Sequence, residues 1–254
     1  PQLLVVAISA IVPSHLFFTP STFTVIYWLT IAAGLTTLIG LFTRTSAFVF
    51  ALGNWAMLAH ASSYGEEHHR EAILCIFLLV LAFSPSGARF SLDAILNRWR
   101  AHKKSGEIAS KYVTAMWPLR LVQVLFALTY FSTGLGKLIY GGLGWMNGYT
   151  LQSIIFSDAV SSGLPLGIWL AQQYDLCVLL SIGTILFEVF FFLTVFAPKL
   201  VPYFLIAGIL FHSAIFMTIA APFFQHILLY SVFIDFGRWK LLAGNAPRVF
   251  EGGN

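Results

Sequence analysis

Long runs of apolar residues alternate with short polar stretches along this chain. The runs cover roughly residues 23–42, 45–63, 70–85, 117–140, 174–197, 201–221 and 224–240. A helix needs about 20 mostly apolar residues to cross the hydrocarbon core of a bilayer. Six of the runs approach that length, and the third does so only with its polar flanks. Residues 2–18 read as an eighth, partial span or as an interfacial segment. Segment 150–170 is interrupted by Gly163, Pro165 and several serines. It reads as a surface excursion or a short interfacial helix. The pattern predicts an all-α fold: a multipass transmembrane helical bundle of about seven spans, forming a single domain over residues 1–254.

Composition agrees with that reading. Hydrophobic residues make up 58% and charged residues 9% of the 254, and the mean hydropathy is +0.84. A soluble globular domain carries about 25% charged residues, so this chain cannot cover itself with a polar surface and lipid is its expected solvent. The net charge of +4 does not point to nucleic acid, because the basic residues sit between apolar runs. Cys75 and Cys177 both lie inside such runs and read as small core residues. No Cys-x-x-Cys pair or His/Cys cluster points to a metal or a dithiol couple. The chain opens at Pro1 inside an apolar run, which is compatible with a helix upstream. No basic n-region or small-residue cleavage site marks a signal peptide.

The basic residues predict an orientation, since cytoplasmic loops collect Lys and Arg. Segment 86–116 carries Arg89, Arg98, Arg100, Lys103, Lys104 and Lys111 and reads as a basic cytoplasmic loop. Alternation from there places Arg44, Lys199, Arg238, Lys240 and Arg248 inside as well. Segments 62–70, 141–172 and 220–226 then face outward, with 141–172 as an extracytoplasmic excursion.

On this topology the ionisable residues collect at the outer face. An ionisable side chain within a span is costly unless it is paired or faces water, so each is a functional candidate. Lys137 lies near the outer end of its helix, in "STGLGKL". Glu66, Glu67, His68 and His69 open another helix on the same side, with His60 and His226 also near that face. Trp145, Asn147 and Tyr149 follow Lys137. A lysine there could simply snorkel to the headgroups. Against that, Tyr130, Thr133 and Lys137 have the spacing of one helical face. Gly134 and Gly136 would also let a backbone or ligand come close. Deeper in the membrane, Glu188 and His212 each lie 12 residues from Leu200, in the turn "APKLVP". A regular helical hairpin puts the two at one depth, where they would contact each other directly or through one water, to share a proton or hold a ligand.

Five stretches occur in an order that resembles the HTTM (horizontally transferred transmembrane) family: "GLFTRTSAFVFAL", "HHREAILCIFLLVLAFSPSGARFSLDA", "WPLRLVQVLFALTYFSTGLGKL", "WMNGYTLQ" and "FHSAIFMTIAAPFFQHILLYSVFIDF". That family includes the membrane domain of vitamin K-dependent gamma-carboxylase. The resemblance implies oxygenation of a vitamin K-type or menaquinone-type hydroquinone, giving an alkoxide strong enough to deprotonate a glutamate side chain. It implies Lys137 as the general base, with His69 or His68 helping to hold the hydroquinone. It also matches Trp145, Gly148 and Tyr149 to the family's "WxxGY" element and His212 to its late "FH" histidine. Tyr130, Trp145, Tyr149, His212 and Glu188 are therefore the expected lining of a cofactor site, with no metal.

The chain departs from the carboxylase in having one lysine where that enzyme has two in succession. It also has a longer insert between Lys137 and Trp145, and it ends soon after its last apolar run. The peptide-recruiting extramembrane domain is not part of this sequence, so quinol chemistry is the firmer implication and glutamate carboxylation the weaker one. Burial among glycines and aromatic rings favours the neutral amine, the form in which a lysine accepts a proton. The expected partners are membrane lipid, a quinone-like small molecule and a peptide substrate or partner protein, without nucleic acid. The expected location is the bacterial inner membrane with the active face extracytoplasmic. Two alternatives remain: a non-catalytic factor for maturation or export of a peptide or toxin, and a quinone- or lipid-binding accessory subunit.

Overall fold

A computed structural model describes residues 19–62, 69–88, 91–105 and 116–234. All regular structure among them is helical. Its contacts divide the chain into two compact units, 1–126 and 127–254.

In the first unit, α1 (Pro20–Ile39) begins where sequence chemistry says it should. The Thr19 hydroxyl accepts the Thr22 N–H at 3.2 Å, and Pro20 occupies the first turn, where its missing N–H costs nothing. It stops at Gly40, whose φ of +70° is left-handed. Gly40 N–H and Leu41 N–H then return to the carbonyls of Thr37 and Thr36. A side chain at Gly40 would also strike Ser91, whose Cα would be 2.8 Å away. The chain reverses at once into α2 (Thr43–Ser62). Gly53 lies against Thr30, and Gly34 against the Phe50 ring. Those pairings run in opposite directions along the sequence, so α1 and α2 are antiparallel and nearly touching.

Helix α3 (His69–Phe83) packs along α2. Arg44 Nε donates to the Ala82 carbonyl at 3.1 Å, placing a cation at the C-terminal end of α3 where the helix dipole favours one. Segment 86–116, read above as a loop, contains a helix, α4 (Leu92–Ser105). Asp93 in its first turn reaches back to the α1–α2 corner. Its carboxylate accepts the N–H of Phe42 at 2.9 Å, and the N–H and hydroxyl of Thr43 at 2.7 and 2.8 Å. One acidic side chain thus caps α2 from 50 residues away and brings the start of α4 to the same end as Arg44.

Helix α5 (Trp117–Gly141) contains the boundary between the units. In the second unit a 3₁₀ stretch, Gly142–Asn147, continues it. Then come α6 (Tyr149–Ser162), α7 (Pro165–Ala171), α8 (Tyr174–Phe190), α9 (Val201–Ile219) and α10 (Phe224–Leu229). Segment 141–172 is thus almost wholly helical, and its two short helices pack on each other and on α8 and α9. The links from α8 to α9 and after α10 are 3₁₀ turns.

Among the described residues four helical stretches are long and apolar enough to cross a membrane: Pro20–Ile39, Trp117–Asn147, Tyr174–Val195 and Pro198–Ile219. Two shorter apolar helices, Glu71–Phe83 and Phe224–Phe233, accompany them. The second predicted run, 45–63, forms a helix of 20 residues but is not among the four; Asn54, His60 and its serines dilute its apolar character. The predicted segment 2–18 and the end of the last run beyond 234 lie outside the described residues.

The Asp93 cap generates a prediction with a definite sign. The Thr43 N–H foremost, and then the Thr43 hydroxyl and Phe42 N–H, hold the Asp93 carboxyl below the usual carboxylate range. A depressed carboxyl contributes its full stability above its unfolded value, and that contribution fades as pH falls through the folded value. Asp93→Asn should therefore cost about 1 kcal/mol at pH 7, and the gap from wild type should begin to shrink below about pH 4 and go on closing as pH falls through the lowered folded value. Thermal unfolding in detergent from pH 7 to pH 3 checks this; no gap at pH 7, or one that persists unchanged at pH 3, would remove the cap.

Candidate functional site

The site builds outward from Gly134. A Cβ there would stand 2.9 Å from the Cβ of Glu188 and 2.9 Å from Val189. Only a glycine lets α5 and α8 approach this closely. One turn further along α5, Lys137 Nζ reaches both carboxylate oxygens of Glu188, at 2.5 and 2.6 Å. Lys137 is 23% exposed and Glu188 6%. Lys137 therefore does not snorkel outward: its charge is answered across the helix pair. Gly136, expected to share the packing role, faces open space.

Trp145 covers the pair. Its ring centroid lies 5.1 Å from Lys137 Nζ, within cation–π range. The turn that carries it is held at two points. Ser181 Oγ donates to the Met146 carbonyl at 3.1 Å. Gly148 adopts a φ of +83° and lies so close to α8 that a side chain would meet the Val178 N–H at 2.9 Å. The glycine of the "WMNGY" stretch is thus required both by its backbone conformation and by close packing.

Two turns back along α5, Tyr130 anchors a second polar group. Its hydroxyl lies 2.6 Å from His212 Nε2 and 2.6 Å from the Tyr230 hydroxyl. All three side chains are buried. Phe187 and Phe191 pack on the Tyr130 ring, and Phe223 stacks on the His212 ring at 4.8 Å. Gly208, one turn before His212 on α9, makes room for the Tyr230 hydroxyl. His226, also buried, brings its ring to 5.2 Å from His212.

Proton counting constrains this group. Tyr130 has one proton and two neighbours at hydrogen-bond distance, so one neighbour must donate to it. His212 Nδ1 is buried and makes no hydrogen bond. A buried N–H without an acceptor is rarer than a bare lone pair. The favoured order therefore runs from His212 Nε2–H to Tyr130 and from Tyr130 to Tyr230, leaving a bare lone pair on His212 Nδ1.

Lys137, Glu188 and Trp145 form one contact group, and Tyr130 and His212 a second, both rooted in α5. Among the described contacts no direct hydrogen bond joins Glu188 to His212: Glu188 is paired with Lys137, and His212 with Tyr130. Counting residues from Leu200 assumed regular α-helix up to the turn. The intervening 3₁₀ stretches, Phe191–Val195 and Pro198–Leu200, have 3.0 residues per turn and a longer rise, which changes both depth and facing. The shared face of α5 is Tyr130, Gly134 and Lys137; Thr133 is exposed and bonds the Thr129 carbonyl of its own helix. Tyr149 is exposed and pairs its ring with Tyr174 at 5.0 Å; among the described contacts none joins it to Lys137. His68 and the side chain of His69 lie outside the described residues. Tyr230 was not anticipated. The available signal was its four-residue spacing from His226 in an apolar helix, which places both on one face.

The family model of the HTTM domain matches residues 14–237 of this chain, a stretch that contains the whole site. No curated protein and no solved structure matches it.

The ion pair yields a test by double-mutant cycle. Removing one partner strands a poorly solvated charge, whereas removing both does not. Lys137→Met and Glu188→Gln should each lower stability by about 1–3 kcal/mol, and the double variant should recover more than half of the summed loss. Unfolding of the purified chain in detergent measures this; additive losses would show that the two groups do not interact.

Proposed function

The chain belongs to the HTTM family of integral membrane proteins, and from that premise we propose that it binds a lipophilic hydroquinone of the vitamin K or menaquinone type and promotes its oxidation by oxygen. The observation that carries this reading is a base pair of unusual placement. Lys137 and Glu188 form an ion pair between two helices long and apolar enough to cross a membrane, with an indole ring beside the amine.

The residues present fit such a group. A flat apolar ring needs aromatic neighbours, which Trp145, Phe187, Phe191 and Phe223 offer. Its hydroxyls need polar partners that the protein has not already satisfied. The His212 Nδ1 lone pair, 97% buried by residue and unbonded, is one. The third N–H of the partly exposed Lys137 amine, beyond the two given to Glu188, is another. The hydroquinone, when bound, supplies reducing electrons and a weakly acidic hydroxyl.

The protein's part is proton handling. In the ion-paired state Lys137 holds the proton and Glu188 the lone pairs. Moving that proton across the 2.5 Å contact leaves a neutral amine, the form in which Lys137 accepts a proton from a hydroxyl. Glu188 keeps the first proton, so the pair ends as ammonium and carboxylic acid with one proton gained. Trp145 excludes water from the pair and stabilises the ammonium by its ring face. Peptide carboxylation coupled to this chemistry would need a glutamate-bearing substrate brought by a partner protein.

The topology belongs to the same proposal. About seven crossings, with segment 86–116 cytoplasmic and 141–172 outside, put Lys137 near the extracytoplasmic face of a bacterial inner membrane. An impermeant thiol reagent applied to intact cells should label Ser162→Cys and spare Lys104→Cys. The opposite result inverts the arrangement.

Oxygen consumption by the purified chain in lipid nanodiscs with reduced menaquinone or vitamin K tests the activity. Wild type should turn over, and Lys137→Ala and Glu188→Gln should each fall at least about 100-fold. Lys137→Arg should keep the ion pair and thermal stability yet lose turnover, because a guanidinium does not give up its proton. Full activity in Lys137→Arg would mean that only the charge matters. Without turnover in wild type, the pair is a staple between α5 and α8, and the non-catalytic maturation or export factor becomes the better reading.

A further inference from the structure

Helix α4 carries an apolar arc whose side chains are exposed. At about 100° per residue, Leu92, Ile95, Leu96 and Trp99 fall within an arc of roughly 100°. All four are exposed, Ile95 at 61% and Trp99 at 65%. Ala94, which is buried, lies nearly opposite and faces the rest of the unit. Arg98 and Arg100 are exposed and flank the apolar arc on its two sides. An apolar stripe with a cation at each edge is the arrangement of a helix lying flat in a membrane interface.

The position of the helix is independent of that pattern and leads to the same place. Asp93 N–H donates to the Gly40 carbonyl at 3.0 Å, and Gly40 caps α1, one of the helices long enough to span the bilayer. The Asp93 carboxylate holds Phe42 and Thr43 as described. The start of α4 is thus tied to the end of a span, at the depth where hydrocarbon gives way to headgroups. Leu38, Ile39 and Phe42, beside this junction, are also exposed, so the apolar surface of α1 continues toward α4. The one acid of α4, Asp93, is engaged in the cap, and the charges beside the exposed arc are positive.

We propose that α4 lies in the membrane interface, with the Leu92–Ile95–Leu96–Trp99 arc among acyl chains and with Arg98 and Arg100 against anionic lipid headgroups. The long arginine stems lie along the apolar layer while the guanidiniums reach phosphate. The surface would then fix the tilt of the first unit and recruit anionic lipid to it.

The test uses the whole chain in nanodiscs of mixed zwitterionic and anionic phospholipid. An environment-sensitive fluorophore is attached at Ile95→Cys, an exposed position; the native Cys75 and Cys177 are buried. In one sample the zwitterionic lipid carries brominated acyl chains, in the other the anionic lipid does. The label should be quenched in both, and the anionic lipid should be enriched around it by about fivefold or more at low salt. The enrichment should vanish in 1 M salt, where the screening length is about 3 Å; this arm needs no substitution beyond the label site. The double variant Arg98→Gln, Arg100→Gln should remove it at low salt as well, while the label stays quenched by chain bromines. A water-exposed label overturns the proposal. So does a label that is shielded but unquenched, which would place a protein on this face, and so does equal quenching by the two lipids.

Discussion

A charge on a helix apolar enough to cross a membrane must find its opposite, and in this chain that constraint ties Lys137 to Glu188. A poorly solvated charge is costly when unpaired, so each residue depends on the other. Pairing them demands that two helices approach closely enough for a short carboxylate to reach an amine. Gly134 makes that approach possible, since any side chain there would displace Glu188 or Val189. The rest of the site then follows. Trp145 rides on a turn fastened to α8 by Ser181 and Gly148, the same helix that carries Glu188. Indole, amine and carboxylate are therefore positioned by one pair of helices, and a change in their spacing would disturb all three at once.

The second polar group obeys the same rule by other means. Tyr130, His212 and Tyr230 are neutral hydrogen-bonding groups that satisfy one another, with aromatic rings filling the space around them. The chain cannot satisfy every atom: His212 Nδ1 is left over. Buried and unbonded polar atoms are rare in folded proteins.

In the first unit the organising polar contact is at the end of the helices. Asp93 satisfies the open N–H groups of α2 and at the same time anchors α4.

What the amino-acid sequence determined by itself was the solvent and the cast of residues. Mean hydropathy and the spacing of apolar runs require lipid-embedded helices, because those depend on composition summed over about 20 neighbouring residues. The cost of burying an ion likewise marks Lys137 and Glu188 as special without any knowledge of neighbours. His212 stood out for the same reason, and Gly134 beside Lys137 announced a close approach. The tertiary structure alone decided the partnerships. Glu188 faces Lys137 and not His212, because 3₁₀ turns between α8 and α9 rotate and lengthen the chain in a way that residue counting cannot follow. Tyr149 lies against Tyr174 although it sits four residues from Trp145, because the left-handed Gly148 turns the chain between them. Tyr230 enters because Gly208, on a different helix, leaves it space. Facing and distance across helices are set by packing between segments far apart in sequence, and no local pattern carries that information.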